Sequence, residues 1–232
     1  AVDEEGNATG IKSLTSDKPD VDCAIFGEPS GTKQITIGYK GRIAINMKIN
    51  VGDSAHASAP WLAKNAIEES ALFVNEIKDK LESGQEDKTK GMMLTATITE
   101  IKGGLSHNVT PKECDSTLDI RIPVDTDCKS VEEKISKTVK EISKKQQVEA
   151  FYSIIDETEP FEAEHNSPLV RALTLGILDI EKNRPTLIRK TGTGDMNVIG
   201  NKLSIPVVTY GPGDPHAAHT TDEKISIDEY LR

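Results

Sequence analysis

Basic residues are the minority along this chain: 28 Lys and Arg stand against 38 Asp and Glu, a formal net charge of −10. No cluster of Lys and Arg forms a dense stripe, so the electrostatic footprint of a nucleic-acid partner is missing. Long apolar runs are missing too. Nothing approaches the ~18 residues a membrane-spanning helix requires. Cysteine is scarce: Cys23, Cys114 and Cys128 are too few and too scattered for a disulfide framework, and none is paired as C-x-x-C. Such usage fits a reducing cytoplasm and three small buried hydrophobes. Repeats and low-complexity tracts are absent. So is an initiator Met. The chain opens on Ala1-Val2 against an acidic motif and reads as a piece of a longer polypeptide, which leaves the lack of a signal peptide with little to say about location.

What is present fits a soluble globular protein of one large or two modest domains: 232 residues, 36% hydrophobic and 28% charged. Val21 to Phe26 reads as a short buried strand ending at Gly27. From Ile35 to Val51 apolar residues recur at every second position, predicting one long half-buried strand. Pro60 to Leu81 carries Leu62, Ala66, Ile67, Ala71, Val74, Ile77 and Leu81 on one helical face, with Pro60 suited to the first turn. Met92 to Ile101 and Glu113 to Ile122 alternate as strands. Ser130 to Lys144 is an amphipathic helix whose Ser130-Val131-Glu132-Glu133 opening matches a capping box. Val148 to Ile155 closes the set as a strand.

The order β-α-β-β-α-β is a split βαβ, ferredoxin-like sandwich, placed at residues 38–157. After Pro160 come a helix (168–180), a strand (186–189), a Gly-rich turn, a short helix, a strand (206–210) and a helix start near Ser226. That alternation predicts an α/β layer with a mainly parallel sheet. Residues 1–37 and 158–232 would then form one discontinuous α/β domain, interrupted by the inserted one.

Chemistry-bearing residues gather near the two ends. Glu4-Glu5 could simply favour a helix dipole. Glu28, in Gly27-Glu28-Pro29-Ser30-Gly31, sits between a strand end and a proline-fixed loop, the usual ligand address of open α/β sheets. His219 follows a strand and Gly211-Pro212-Gly213; it reads equally as a surface loop histidine. Together Glu5, Glu28 and His219 make an O/O/N set suited to zinc, with room for water. Glu4, one residue from a ligand, would point elsewhere and could take a proton from that water.

These motifs resemble the M20 family of metallopeptidases. The resemblance rests on Val2-Asp3-Glu4-Glu5-Gly6, Gly27-Glu28-Pro29-Ser30, Gly38-Tyr39-Lys40-Gly41, His56-Ala57-Ser58, Gly103-Gly104 and Asn108-Val109-Thr110-Pro111. Asp119-Ile120-Arg121, Thr191 to Asn197, and Gly211-Pro212-Gly213 with His219-Thr220 continue it in the same order. The family includes acetylornithine deacetylase, succinyl-diaminopimelate desuccinylase, aminoacylase and carboxypeptidases. The resemblance implies a zinc-peptidase-like α/β catalytic domain carrying a lid and dimerisation domain, with Glu4 as general base and Glu5, Glu28 and His219 as metal ligands. His56 would stabilise the oxyanion, reaching a neighbouring subunit's site; the alternative is a polar strand-end residue. Asn108 and Arg121 would hold the substrate carboxylate or the lid geometry, with an ion pair the other reading of Arg121. Thr193, Gly194 and Gly211 would line the substrate pocket. Two zinc ions per subunit are implied, with cobalt or manganese accepting the same donors.

Lys190 to Asn197 looks most like the branch that frees lysine or ornithine from an acyl or carrier-protein conjugate in amino-acid biosynthesis. That implies a cytoplasmic, homodimeric amidohydrolase with a small-molecule or carrier-linked substrate. A general aminoacylase or dipeptidase is the alternative within enzymes; a non-catalytic dimerisation and substrate-gating piece is the alternative outside them. Lys40, Arg42 and Lys190 are candidate docking residues for an acidic carrier, or ordinary solvated cations. Lys134, Lys137, Lys140, Lys144 and Lys145 read as a solvated helix face. The family's His-x-Asp ligand motif and bridging Asp, which precede the Glu-Glu pair, are not in this chain. The expectation is therefore a partial metal site, weak zinc binding and little activity for the isolated chain.

Overall fold

The computed structural model describes residues 8–218 and 220–231, which fall into two compact units. Residues 42–158 form one; the described residues up to Gly41 and from Glu159 onward form the other.

In the discontinuous unit the elements are α1 (Thr9–Ser16), β1 (Ala24–Phe26), β2 (Gln34–Tyr39), β7 (Phe161–Glu162), α4 (Pro168–Glu181), β8 (Thr186–Lys190), α5 (Asp195–Leu203), β9 (Val207–Thr209) and α6 (Ile227–Tyr230). The inserted unit is built from β3 (Gly41–Asn50), α2 (Ala66–Glu82), β4 (Thr95–Gly103), β5 (Glu113–Ile122), α3 (Cys128–Gln146) and β6 (Glu149–Thr158).

The sheet of the discontinuous unit runs β1-β9-β2-β7, with β8 also on β2. β1 is parallel to β9 and β2 to β8, while β2 meets both β9 and β7 antiparallel, so the sheet is mixed rather than mainly parallel. Residues Ile35 to Tyr39 of β2 are buried without alternation, the mark of a strand covered on both faces. Ile35, Ile37, Val207 and Val208 pack with Leu169, Val170 and Ile177 of α4 and with Met196 and Ile199 of α5. Each large aliphatic side chain taken out of water there contributes about 1.5–3 kcal/mol. β1 departs from the buried strand expected: Ile25 is exposed, and among the described strands only β9 pairs with it.

The inserted unit has the β-α-β-β-α-β order expected, with sheet order β4-β5-β3-β6. Ile43, Ile45, Met47 and Ile49 of β3 face a core shared with Cys114, Leu118, Ile120 and Ile122 of β5 and with both helices. Helix α2 starts later than Pro60. Pro60–Leu62 is a separate 3₁₀ turn, and the α-helix is capped by Asn65, whose side chain accepts from Ile67 N at 3.0 Å. The opening of α3 also moves, since Asp127 rather than Ser130 is its cap and accepts from Ser130 N at 2.7 Å. Its lysines are exposed, and Val131, Ile135, Val139 and Ile142 are buried beneath them. Cys114 and Cys128 are buried as expected, whereas Cys23 is exposed.

The single long strand predicted across Ile35 to Val51 is two strands. β2 ends at Tyr39 in one sheet and β3 begins at Gly41 in the other. The ends of the inserted unit meet, because Arg42 and Thr158 are register partners in the β3–β6 pair. No helix of the described residues is long and apolar enough to cross a membrane.

Candidate active site

Two loops are stitched together beyond the parallel pair β1 and β9. Tyr210 N donates to Phe26 O at 2.9 Å and Ser30 N to Gly211 O at 3.1 Å. The buried Ser30 hydroxyl donates to Gly211 O at 3.2 Å and accepts from Gly211 N at 3.0 Å. The approach is close enough that a Cβ on Gly211 would lie 2.7 Å from Glu28 O, so glycine is required there for space.

This stitching presents Glu28, half-buried, to an open cleft of about 780 Å³ lined also by Gln34, Tyr39, Lys190, Thr193 and His216. The Tyr39 hydroxyl donates to Glu28 Oε2 at 2.9 Å. Lys190 Nζ donates to Pro29 O at 2.6 Å and lies 5.6 Å from the centre of the Tyr39 ring. Burial pushes the Lys190 ammonium below its usual pKa, against the opposing pull of the Glu28 charge. A Cβ on Gly194 would stand 3.5 Å from Glu28 Oε1 and 3.7 Å from the Tyr39 ring; its absence keeps that wall of the cleft thin.

The first turn of α5 backs the site. Asn197, fully buried, accepts from Gly194 N at 3.1 Å and donates to Lys40 O at 3.1 Å and Glu159 O at 2.8 Å. Asp195, 4% exposed, keeps one carboxylate oxygen without a hydrogen-bond partner among the described residues. Burial raises its carboxyl pKa, and the Glu28 charge adds to the rise. The half-buried Glu28 carboxylate in the wall of the cleft suits a divalent cation.

In the inserted unit, His56 and Val109 form an antiparallel bridge. Ala57 N donates to Asn108 O and Thr110 N to Ala55 O, both at 2.8 Å. His56 is exposed, with Nδ1 2.7 Å from Ser58 Oγ. Asn108, also exposed, accepts from Ser106 Oγ at 2.6 Å. Arg121 donates to Asp119 Oδ1 at 2.6 Å, and Arg42 bridges Asp119 and Asp156 at 2.7 and 2.9 Å.

Residues 37–147 match the family model of the M20 peptidase dimerisation domain. Over 98% of its length the chain is 32% identical to a [LysW]-lysine/[LysW]-ornithine hydrolase of Saccharolobus solfataricus, and 32% identical to the enzyme of the same name from Sulfurisphaera tokodaii. Residues 37–147 are thus an M20 peptidase dimerisation domain. The chain spans 60% of the length of those curated relatives. Its fold is that of aminopeptidase PepT from Bacillus cereus, with TM-score 0.79 and 21% identity over 98% of this chain and 58% of that one. The M20 metallo-carboxypeptidase Sso-CP2 of Sulfolobus solfataricus gives TM-score 0.74 and 20% identity over 96% and 63%.

Of the M20 site residues expected from sequence, Glu4, Glu5 and His219 lie outside the described residues. Glu28, Thr193, Gly194 and Gly211 come together around the cleft and its supporting loops. His56 and Asn108 come together in the inserted unit. Of the three candidate docking cations, Lys40 is 4% exposed, whereas Arg42 and Lys190 are partly exposed, Arg42 ion-paired within its own unit and Lys190 turned onto the Pro29 carbonyl.

Sequence reasoning assigned no role to Tyr39, Asp195 or Asn197. Tyr39 and Asp195 both stood inside quoted motifs. Their function depends on which strand end and helix start face the Glu28 loop, and no spacing encodes that.

Proposed function

We propose that the protein is a metal-dependent amidohydrolase releasing lysine or ornithine from an N-acyl or carrier-protein conjugate in amino-acid biosynthesis. The observation that carries the reading is the Glu28 carboxylate, held by a tyrosine hydroxyl at the mouth of a cleft with glycine-thinned walls, in a chain similar over nearly its whole length to [LysW]-lysine/[LysW]-ornithine hydrolases. The donor set fits a divalent ion: Glu28 supplies one oxygen, and Glu5 and His219 are the further ligands we assign. Zinc, two per subunit, or cobalt in its place would polarise the amide carbonyl and lower the pKa of water.

The chain's own groups do the rest. Glu4 takes a proton from the water that attacks the amide carbonyl and returns it to the amine that leaves as the C–N bond breaks. Thr193 and Gly194 give the substrate chain room against the cleft wall. His56 donates to the carbonyl oxygen as negative charge develops there, from the neighbouring subunit of a homodimer joined through the inserted unit. Asn108 and Arg121 orient the substrate carboxylate or the segment bearing His56. The site of action is the cytoplasm.

The test is hydrolysis of N-acyl-lysine and N-acyl-ornithine against N-acyl-phenylalanine by the intact protein, with zinc content measured beside it. We expect basic side chains to be preferred. In Glu28→Gln, kcat/KM should fall at least about 10³-fold, a loss of about 4 kcal/mol in transition-state binding. Full activity in that variant, or activity indifferent to chelators, would sink the proposal.

A further inference from the structure

Two residues with no part in the chemistry proposed above converge on the candidate ligand. Tyr39 ends β2 and Lys190 ends β8, and the two are register partners in that parallel pair. From neighbouring backbone positions they reach consecutive residues of the Glu28 loop: the Tyr39 hydroxyl the Glu28 carboxylate at 2.9 Å, the Lys190 ammonium the Pro29 carbonyl at 2.6 Å. The Tyr39 ring is 3% exposed and belongs to the core cluster, so its hydroxyl is a fixed point. The ammonium 5.6 Å from that ring's centre ties the two anchors together.

Glu28 itself follows a strand of only three residues whose central side chain is exposed. Left to that support, a glutamate side chain would sample several rotamers, and ligation would carry the cost of fixing them. With Oε2 engaged, Oε1 remains on the side thinned by Gly194.

We infer that Tyr39 and Lys190 are positioning residues for Glu28: the hydroxyl fixes one carboxylate oxygen, the ammonium fixes the carbonyl of the next residue, and the second carboxylate oxygen is thereby presented for metal ligation. The inference rests on the metal-dependent reading above. It differs from a packing role in a measurable way. A packing role moves stability, whereas a positioning role moves metal affinity through Glu28 and through nothing else.

The experiment measures zinc affinity of the intact protein by competition with a chromophoric chelator, together with the thermal midpoint of the metal-free protein, for Tyr39→Phe, Glu28→Gln and the double variant. Tyr39→Phe removes only the hydroxyl. It should weaken zinc binding about tenfold, within the 10–100-fold range of outer-sphere partners, and leave the metal-free midpoint within about 2 °C, less than the shift a 1 kcal/mol loss produces. In the double variant the tyrosine change should cost nothing beyond Glu28→Gln alone, because its effect travels through that carboxylate. Lys190→Met should weaken zinc in the same direction. Affinity of Tyr39→Phe within twofold of the parent, or a loss that adds fully to that of Glu28→Gln, overturns the inference. Should Glu28→Gln itself leave zinc affinity unchanged, the metal reading falls first, and the positioning inference falls with it.

Discussion

Asp195 pairs two features that a metal-free protein tolerates poorly, a buried carboxylate and an oxygen with no hydrogen-bond partner among the described residues. Its raised pKa means that the acid is held protonated more readily in the folded than in the unfolded chain, so ionisation at neutral pH works against folding: the contribution is favourable below the ordinary carboxylate pKa and is lost as pH rises through the folded value. Asp195→Asn should therefore stabilise the metal-free protein by roughly 1 kcal/mol at pH 7, with no gain near pH 3; denaturant unfolding at the two pH values checks it. Glu162 has the opposite sign. Arg189 and then His165 hold its carboxyl below the usual range, Arg189 Nε at 2.9 Å and His165 Nε2 at 2.8 Å. Its stabilisation is present above the ordinary carboxylate pKa and lost as pH falls through the depressed value. Glu162→Gln should cost about 1 kcal/mol at pH 7, modest because Arg189 and His165 are partly solvated, and the cost should vanish as pH falls through the depressed value.

At the scale of elements, the loop pair after β1 and β9 has the least room to give. A side chain at Gly211 meets the backbone of Gly27 and Glu28, not the tip of a flexible side chain, so the strain must be taken up by moving the Glu28 loop. Gly211→Ala should destabilise the protein by about 1–3 kcal/mol and weaken metal binding alongside. A variant that keeps both the midpoint and the zinc affinity of the parent would show the loop to be softer than its hydrogen bonds imply. The same scale explains what sequence could and could not show. The strands and helices of the inserted unit were legible because one face of each is buried, which writes a period of two or of 3.6 into the residues. The break between β2 and β3 was not, because Ile35, Ile37, Tyr39, Ile43 and Ile45 stay in phase across it. Nothing in the apolar pattern changes where the chain passes from one sheet to the other at Lys40, whose carbonyl is taken by Asn197 and whose amide donates to Lys190 O. Helix α1 escaped notice for a related reason: its one buried residue, Ile11, is too little for a periodicity. The Glu28 position was readable from its strand-end and proline context, whereas its partnership with Tyr39 depends on a pairing between strands far apart in the chain.

For the whole molecule, the division into two units predicts separate folding. The inserted unit has its own core of β3, β4, β5, α2 and α3 side chains, and its two ends, Arg42 and Thr158, sit opposite each other on β3 and β6. A chain of residues 42–158 therefore needs no outside element to bring its ends together or cover its main core, and its size is within the range of autonomous domains. Expressed alone it should unfold in one cooperative step in urea, with far-UV and near-UV signals superimposing. The discriminating observation is near-UV structure. Helix content without fixed aromatic signals would mark a compact but unpacked state, and would mean that the core gathered around Phe73, Ile77, Leu118 and Ile135 depends on the discontinuous unit after all.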